Sequence, residues 1–208
     1  MIGGKWRHAL AGGSLAALLA LGVPAVAQNF SDGYKFLEAV DDKDITEAEK
    51  LIGRPGSTLI NSRDISNGRT GLHITVERRD ISWLSWLLTK GANPNIADNR
   101  GITPLMLASQ RGFFEGVETL IAARARVDES NEAGETPLIS AVHRRDVQMM
   151  RALLKAGADP DRADNSGRSA REYATLEGSN SQTLAEIERS AKPSSGGRQS
   201  GEVYGPSF

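Results

Sequence analysis

Four hydroxyl residues recur at one interval: Thr70, Thr103, Thr136 and Ser169 stand 33 residues apart. A fixed period of this length confines the chain to an array of like units, because so short a unit cannot bury an apolar face without neighbours. The unit is plainest from Gly134 to Ala158, GETPLISAVHRRDVQMMRALLKAGA. The Thr136 hydroxyl suits a helix N-terminus, and Pro137 fits the first helical position, where its missing N–H costs nothing. Leu138, Ala141 and Val142 then recur at helical spacing. After the break at Arg145–Asp146, Val147, Met150, Leu153 and Leu154 define a second apolar face. Gly157 stands where a left-handed cap wants a residue without Cβ. Each unit is therefore predicted to be a helix–turn–helix.

The register extends to both sides. Leu138 matches Leu105 and Leu72, Leu153–Leu154 matches Leu120–Ile121 and Leu87–Leu88, and Gly157–Ala158 matches Gly91–Ala92. The segments RTGLHITV, GITPLMLAS and GETPLISAV, with the endings KGANPN and KAGADPD, resemble the ankyrin repeat, whose signature is close to T-P-L-H-x-A. The resemblance covers roughly Ser31 to Ala191. It implies an all-α ankyrin repeat solenoid of about five helix-turn-helix repeats with short β-turn fingers, the outer two repeats acting as caps. It identifies a module and not a reaction.

The ends of the chain read differently. Met1 to Ala27 has a basic start (Lys5, Arg7), an uncharged run from Ala9 to Val23, and small residues at Ala25-Val26-Ala27, as a cleaved secretory signal does. The run is shorter than a membrane span, although a retained anchor is the alternative. Residues 28–191 are then the repeat domain of a mature chain beginning at Gln28, and 192–208 a Pro/Ser/Gly-rich disordered tail. Cysteine is absent, so thiol chemistry and disulfides are excluded, and export without cysteine points to a bacterial periplasm. Cleavage would move the formal charge from -1 to about -3, which favours neither nucleic acid nor anionic lipid.

Departures from the period mark particular positions. Asp44-Ile45 tracks Asp80-Ile81 at an offset three residues over the period, with the surplus in the Gly53 to Arg63 region. His73 resembles the family histidine that bonds loop backbone between repeats; a pH switch or ligand role is the alternative. Arg124 replaces the capping glycine, where a left-handed cap costs a non-glycine residue about 1 kcal/mol or the turn is rearranged and slightly weakened, and Arg171 replaces the core leucine of the last repeat. In that repeat Tyr173, Leu176, Leu184 and Ile187 are expected to form a thinner apolar face. Trp83 and Trp86 lie off the Leu84/Leu87/Leu88 stripe, as a second contact patch or as packing against a neighbouring segment.

No catalytic constellation appears. The mature chain keeps two histidines, His73 and His143, on different repeats, with no phosphate loop, H-E-x-x-H or nucleophile elbow. General acid–base chemistry needs titratable groups converging in a closed site, so no enzyme activity, no cofactor and no metal are expected. Acidic residues at turn tips (Asp98, Asp128, Asp159, Asp161, Asp164) suit the turns themselves.

What remains is a surface. In such stacks the fingers and first helices line a concave groove. Arg78, Arg111 and Arg144 form one column, flanked by Glu77, Gln110 and His143. Arg69, Ile102, Glu135 and Arg168 form another, with Arg100 on a turn tip. The protein-binding residues are expected among Arg69, Arg78, Arg100, Ile102, Arg111, Glu135, His143 and Arg144, because guanidinium forks suit carboxylates and protein interfaces. A merely solvated polar face is the alternative. The expected partner is another protein bound by a monomer; the competing function is a periplasmic factor that supports the folding or activity of a partner enzyme.

Overall fold

The computed structural model describes residues 25–178 and 181–190, with side chains from Asp32 onward. Helices α1 (Ala25–Asp42) and α2 (Ile45–Ile52) form the first pair. They are followed by α3 (Gly71–Glu77) and α4 (Ile81–Thr89), then α5 (Pro104–Arg111) and α6 (Phe114–Ala122). The last pairs are α7 (Pro137–His143) with α8 (Val147–Lys155), and α9 (Ala170–Leu176) with α10 (Gln182–Ser190). The odd-numbered helices stack side by side from α1 to α9, with α4, α6, α8 and α10 stacked behind them. The result is an all-α repeat solenoid.

Helix ends follow from side-chain caps. Thr103 and Thr136 each accept the backbone N–H three residues on, at 3.2 Å. Ser169 completes a reciprocal box with Glu172. The second helices start differently: Asp44, Asp80 and Asp146 accept from Glu47, Trp83 and Met149 at 3.0 to 3.1 Å. Between the paired helices the chain turns through a positive-φ residue, Gly112 and Gly178 in two repeats but Lys43, Arg79 and Arg145 in the others. Arg124 takes the same conformation at the end of α6, with φ 64° against 92° at Gly91 and 99° at Gly157. The Arg124 strain follows from its glycine register; the corner register carries the same marker, since Gly112 and Gly178 stand one period from Arg79 and Arg145 with φ 61° and 112°.

One core runs the length of the stack. Leu72, Leu84, Leu87, Leu105, Leu120, Leu138 and Leu153 are all buried, as are Phe36, Leu37, Ala39 and Val40 on α1. The three surplus residues are absorbed before α3, where a 3-10 turn (Leu59–Asn61) lays Leu59 against α1 and α2. At the far end the expected apolar face is rearranged. Leu176 is 69% exposed, while Glu186 is buried on α10 and bonded by Arg151. Arg171 is held at the surface by both oxygens of Asp161, so its departure from leucine leaves no buried charge unpaired.

The expected cleavage motif Ala25-Val26-Ala27 lies in the first turn of α1; residues 1–24 of the expected signal and the expected tail at 192–208 lie outside the described residues. Among the described residues no helix is long and apolar enough to cross a membrane.

Candidate functional site

The fingers that project beside the first helices are built by Asx residues one period apart. Asp98 Oδ1 accepts the N–H groups of Arg100 and Ile102, and Asn131 Oδ1 those of Ala133 and Glu135. Asp164 does the same for Ser166 and Arg168. Hydrogen bonds from Ser166 and from the Tyr173 hydroxyl hold its carboxyl well below the usual range. Neighbouring fingers then bond to each other: Asn99 N–H to Asn67 O, Glu132 N–H to Arg100 O, and Asn165 N–H to Ala133 O, at 2.9 to 3.1 Å. Gly134 allows the last approach, having φ 76° and room for no Cβ, which would lie 2.6 Å from Asn165 N.

His73 ties a finger to its neighbour from inside. It is fully buried; its Nδ1 accepts the Thr70 N–H at 3.1 Å, which leaves the proton on Nε2 to donate to Ile102 O at 2.9 Å. Burial pushes its pKa down from the ordinary value, so the ring is a neutral structural bridge rather than an exposed titrating group.

Between the fingers and the ends of the first helices lies an open cavity of about 590 Å³, lined by Arg69, Arg100, Ile102, Leu107, Gln110, Arg111, Asn131, Glu132 and Ala133. Four of the expected contact residues meet there: Arg69, Arg100, Arg111 and, largely buried in the floor, Ile102. Arg100 is the most open, its side chain 64% exposed.

The arginine column is not a row of equivalent free guanidiniums. Each reaches back to the preceding repeat: Arg78 to the backbone carbonyl and carboxylate of Asp41, Arg111 to Glu77, and Arg144 to Gln110 O at 3.3 Å. The corner residues beside them reach forward, Arg79 to Gly112 O at 2.8 Å and Arg145 to Glu177 at 3.0 Å. Paired arginines thus link the α3–α4 and α7–α8 repeats to both neighbours. Of the column, Arg111 alone lines the cavity.

The other expected contacts lie further along. Glu135 accepts from Ser140 Oγ at 2.8 Å and faces His143 Nδ1 at 3.7 Å. The His143 ring meets Tyr173 edge to face, with centroids 4.6 Å apart, and the Arg168 guanidinium lies over Tyr173. This end of the surface is occupied by its own contacts. Trp83 and Trp86 pack edge to face at 5.0 Å and are half-buried against the core, with Lys90 over Trp86. They are not two indoles standing free.

Sequence reasoning did not single out Glu77 as the acid shared by two of the cavity's arginines. Its Oε1 meets Arg111, and its Oε2, enclosed and without a hydrogen-bond partner, lies 3.5 Å from Arg69 Nη1. Only its place beside Arg78 hinted at this. Among the described residues no cluster of three or more His, Cys, Asp or Glu could hold a metal ion. The arrangement offers hydrogen-bond donors and positive charge on an open face.

Comparison with known proteins shows where this architecture recurs. A family model described as ankyrin repeats (3 copies) matches residues 36–131, and one described as ankyrin repeats (many copies) matches residues 120–174. An ankyrin repeat protein of Rickettsia felis is 43% identical over 68 residues, which is 30% of this chain and 29% of that one. The oxysterol-binding protein homolog 1 of Saccharomyces cerevisiae is 33% identical over 76 residues, 35% of this chain and 6% of the yeast protein. The matches thus span less than a third of the length of either relative.

Proposed function

Because the chain belongs to the ankyrin repeat family, whose repeats generally mediate binding to other proteins, we propose that it acts as a monomeric, non-enzymatic binding module whose concave groove holds another protein. The setting is the bacterial periplasm, after removal of the signal at Ala27. The observation that carries the groove assignment is the cavity shared by successive fingers, where Arg69, Arg100 and Arg111 surround open space. Arg69 and Arg111 share one carboxylate, Glu77, and Arg100 has only the recessed Asp98 at 3.8 Å, whereas Arg78 and Arg145 each have an acid of their own.

The test is a photo-crosslinking amino acid placed in turn at Gln110, at Ala133 and at the exposed α6 residue Glu118, in the producing cell. Discrete adducts with one protein from the two groove positions, absent from Glu118, are expected. Adducts from Glu118 alone would put the interface on the convex side. Cell fractionation with N-terminal sequencing checks the compartment: the expected product starts at Gln28 in the periplasmic fraction, and full-length chain confined to membranes would overturn export by cleavage.

A further inference from the structure

Three guanidiniums from two successive repeats converge on the cavity, and their internal partners are held back from it. Asp98, near Arg100 at 3.8 Å, is 3% exposed, and its Oδ1 is committed to two backbone N–H groups. Glu77 is shared: Arg111 bonds one oxygen, and Arg69 approaches the other at 3.5 Å without making a hydrogen bond. Glu132 is the remaining acid on the rim. A guanidinium carries five donors in a planar fork, and a single carboxylate cannot use those of two arginines. The surplus donors of Arg69 and Arg111, with the open fork of Arg100, face the groove.

Resting on the groove reading above, we infer that the partner presents an acidic segment whose carboxylates bind Arg69, Arg100 and Arg111, and that Glu77 is their stand-in when the groove is empty. Glu77 is then an internal competitor. An arriving carboxylate displaces it from Arg111 or joins it between the two arginines, and the repulsion between the two acids limits affinity. Charge reversal along the chain cannot separate this from general electrostatics, but Glu77 can. Its neutralisation strengthens binding of an acidic segment by freeing donors, whereas a neutral partner gains nothing from that change.

The experiment uses the full mature chain and two fluorescent dodecapeptides, one of alternating Glu and Ser, the other of alternating Gln and Ser. Anisotropy titrations are run at low and high salt for wild type, Glu77→Gln and the double variant Arg69→Gln/Arg111→Gln, with thermal melts showing that each is folded. The acidic peptide is expected to bind selectively, several-fold tighter to Glu77→Gln and about tenfold weaker to the double variant, with affinity falling as salt rises. Equal binding of the two peptides, or a Glu77→Gln affinity at or below wild type, would overturn the inference. The same variants carried into the crosslinking assay separate it from the groove reading. Adducts at Gln110 and Ala133 unchanged by all three substitutions leave the groove standing and refute its acidic specificity; no groove adduct from wild type refutes both.

Discussion

Replacing Glu186 with glutamine removes one charge from the terminal repeat while keeping the shape of the side chain. The carboxylate is 3% exposed and accepts a two-pronged bond from Arg151, at 3.0 Å to Nε and 2.9 Å to Nη2. Ser190 Oγ donates at 2.6 Å and Arg189 also reaches it. Chiefly through the Arg151 bonds, with burial opposing, its pKa falls from 4.5 to about 2. A displacement of that size corresponds to about 3 kcal/mol as a ceiling. Because the Arg151 side chain is 54% exposed and screened by water, about 1–2 kcal/mol is the expected loss for Glu186→Gln at neutral pH.

The sign follows from the direction of the shift. A depressed folded pKa means the unfolded chain binds more protons below 4.5, so this stabilisation is complete above pH 4.5 and disappears as pH falls through about 2. Asp164 also loses stabilisation in acid, so the informative quantity is the difference between wild type and variant. That difference should be largest at neutral pH and close to zero near pH 2. Hydrogen exchange should place the loss in α8 and α10 rather than along the whole stack, since repeats contact only their neighbours. Denaturant midpoints across pH, with exchange mass spectrometry, give the measurement. A variant as stable as wild type at pH 7, or a difference that does not narrow in acid, would refute the reasoning.

Leu138→Ala deletes a fully buried side chain of α7 and should cost about 2–5 kcal/mol in chemical denaturation. Arg124→Gly relieves a φ of 64° at an exposed position and should leave stability equal or raise it by up to about 1 kcal/mol; clear destabilisation would mean the side chain has a role beyond its backbone conformation. His73→Leu leaves the Thr70 N–H and Ile102 O without their partner and should cost roughly 2–4 kcal/mol. Because burial lowers the His73 pKa from 6.5, the unfolded chain takes up a proton first as pH falls below 6.5. Wild type should therefore lose stability in mild acid, and His73→Leu should lose less over the same range.

Much of the architecture could be read from residues in order. The 33-residue register located the helix pairs, because apolar spacing dictates which side of a helix meets the core, and Thr103, Thr136 and Ser169 cap the ends at which they stand. The left-handed turn at Arg124 could be read too, since Gly91 and Gly157 in the same register show what backbone that position needs. These features depend on φ, ψ and Cβ direction, which a repeating sequence determines locally.

The fate of the charged side chains was decided elsewhere. One register holds Arg78, Arg111 and Arg144, yet Arg111 alone opens on the cavity, and Glu77 rather than solvent stands between Arg111 and Arg69. Glu186 looks from sequence like a surface acid and is buried beneath Arg151, whereas Leu176 looks like core and is exposed. A long polar side chain has several rotamers of similar energy, and the choice falls to whichever carboxylate or carbonyl of an adjacent repeat comes within reach. That neighbour lies about one period away in sequence, so periodicity places the Cα of each arginine, and only the stacking of repeats decides where its guanidinium goes.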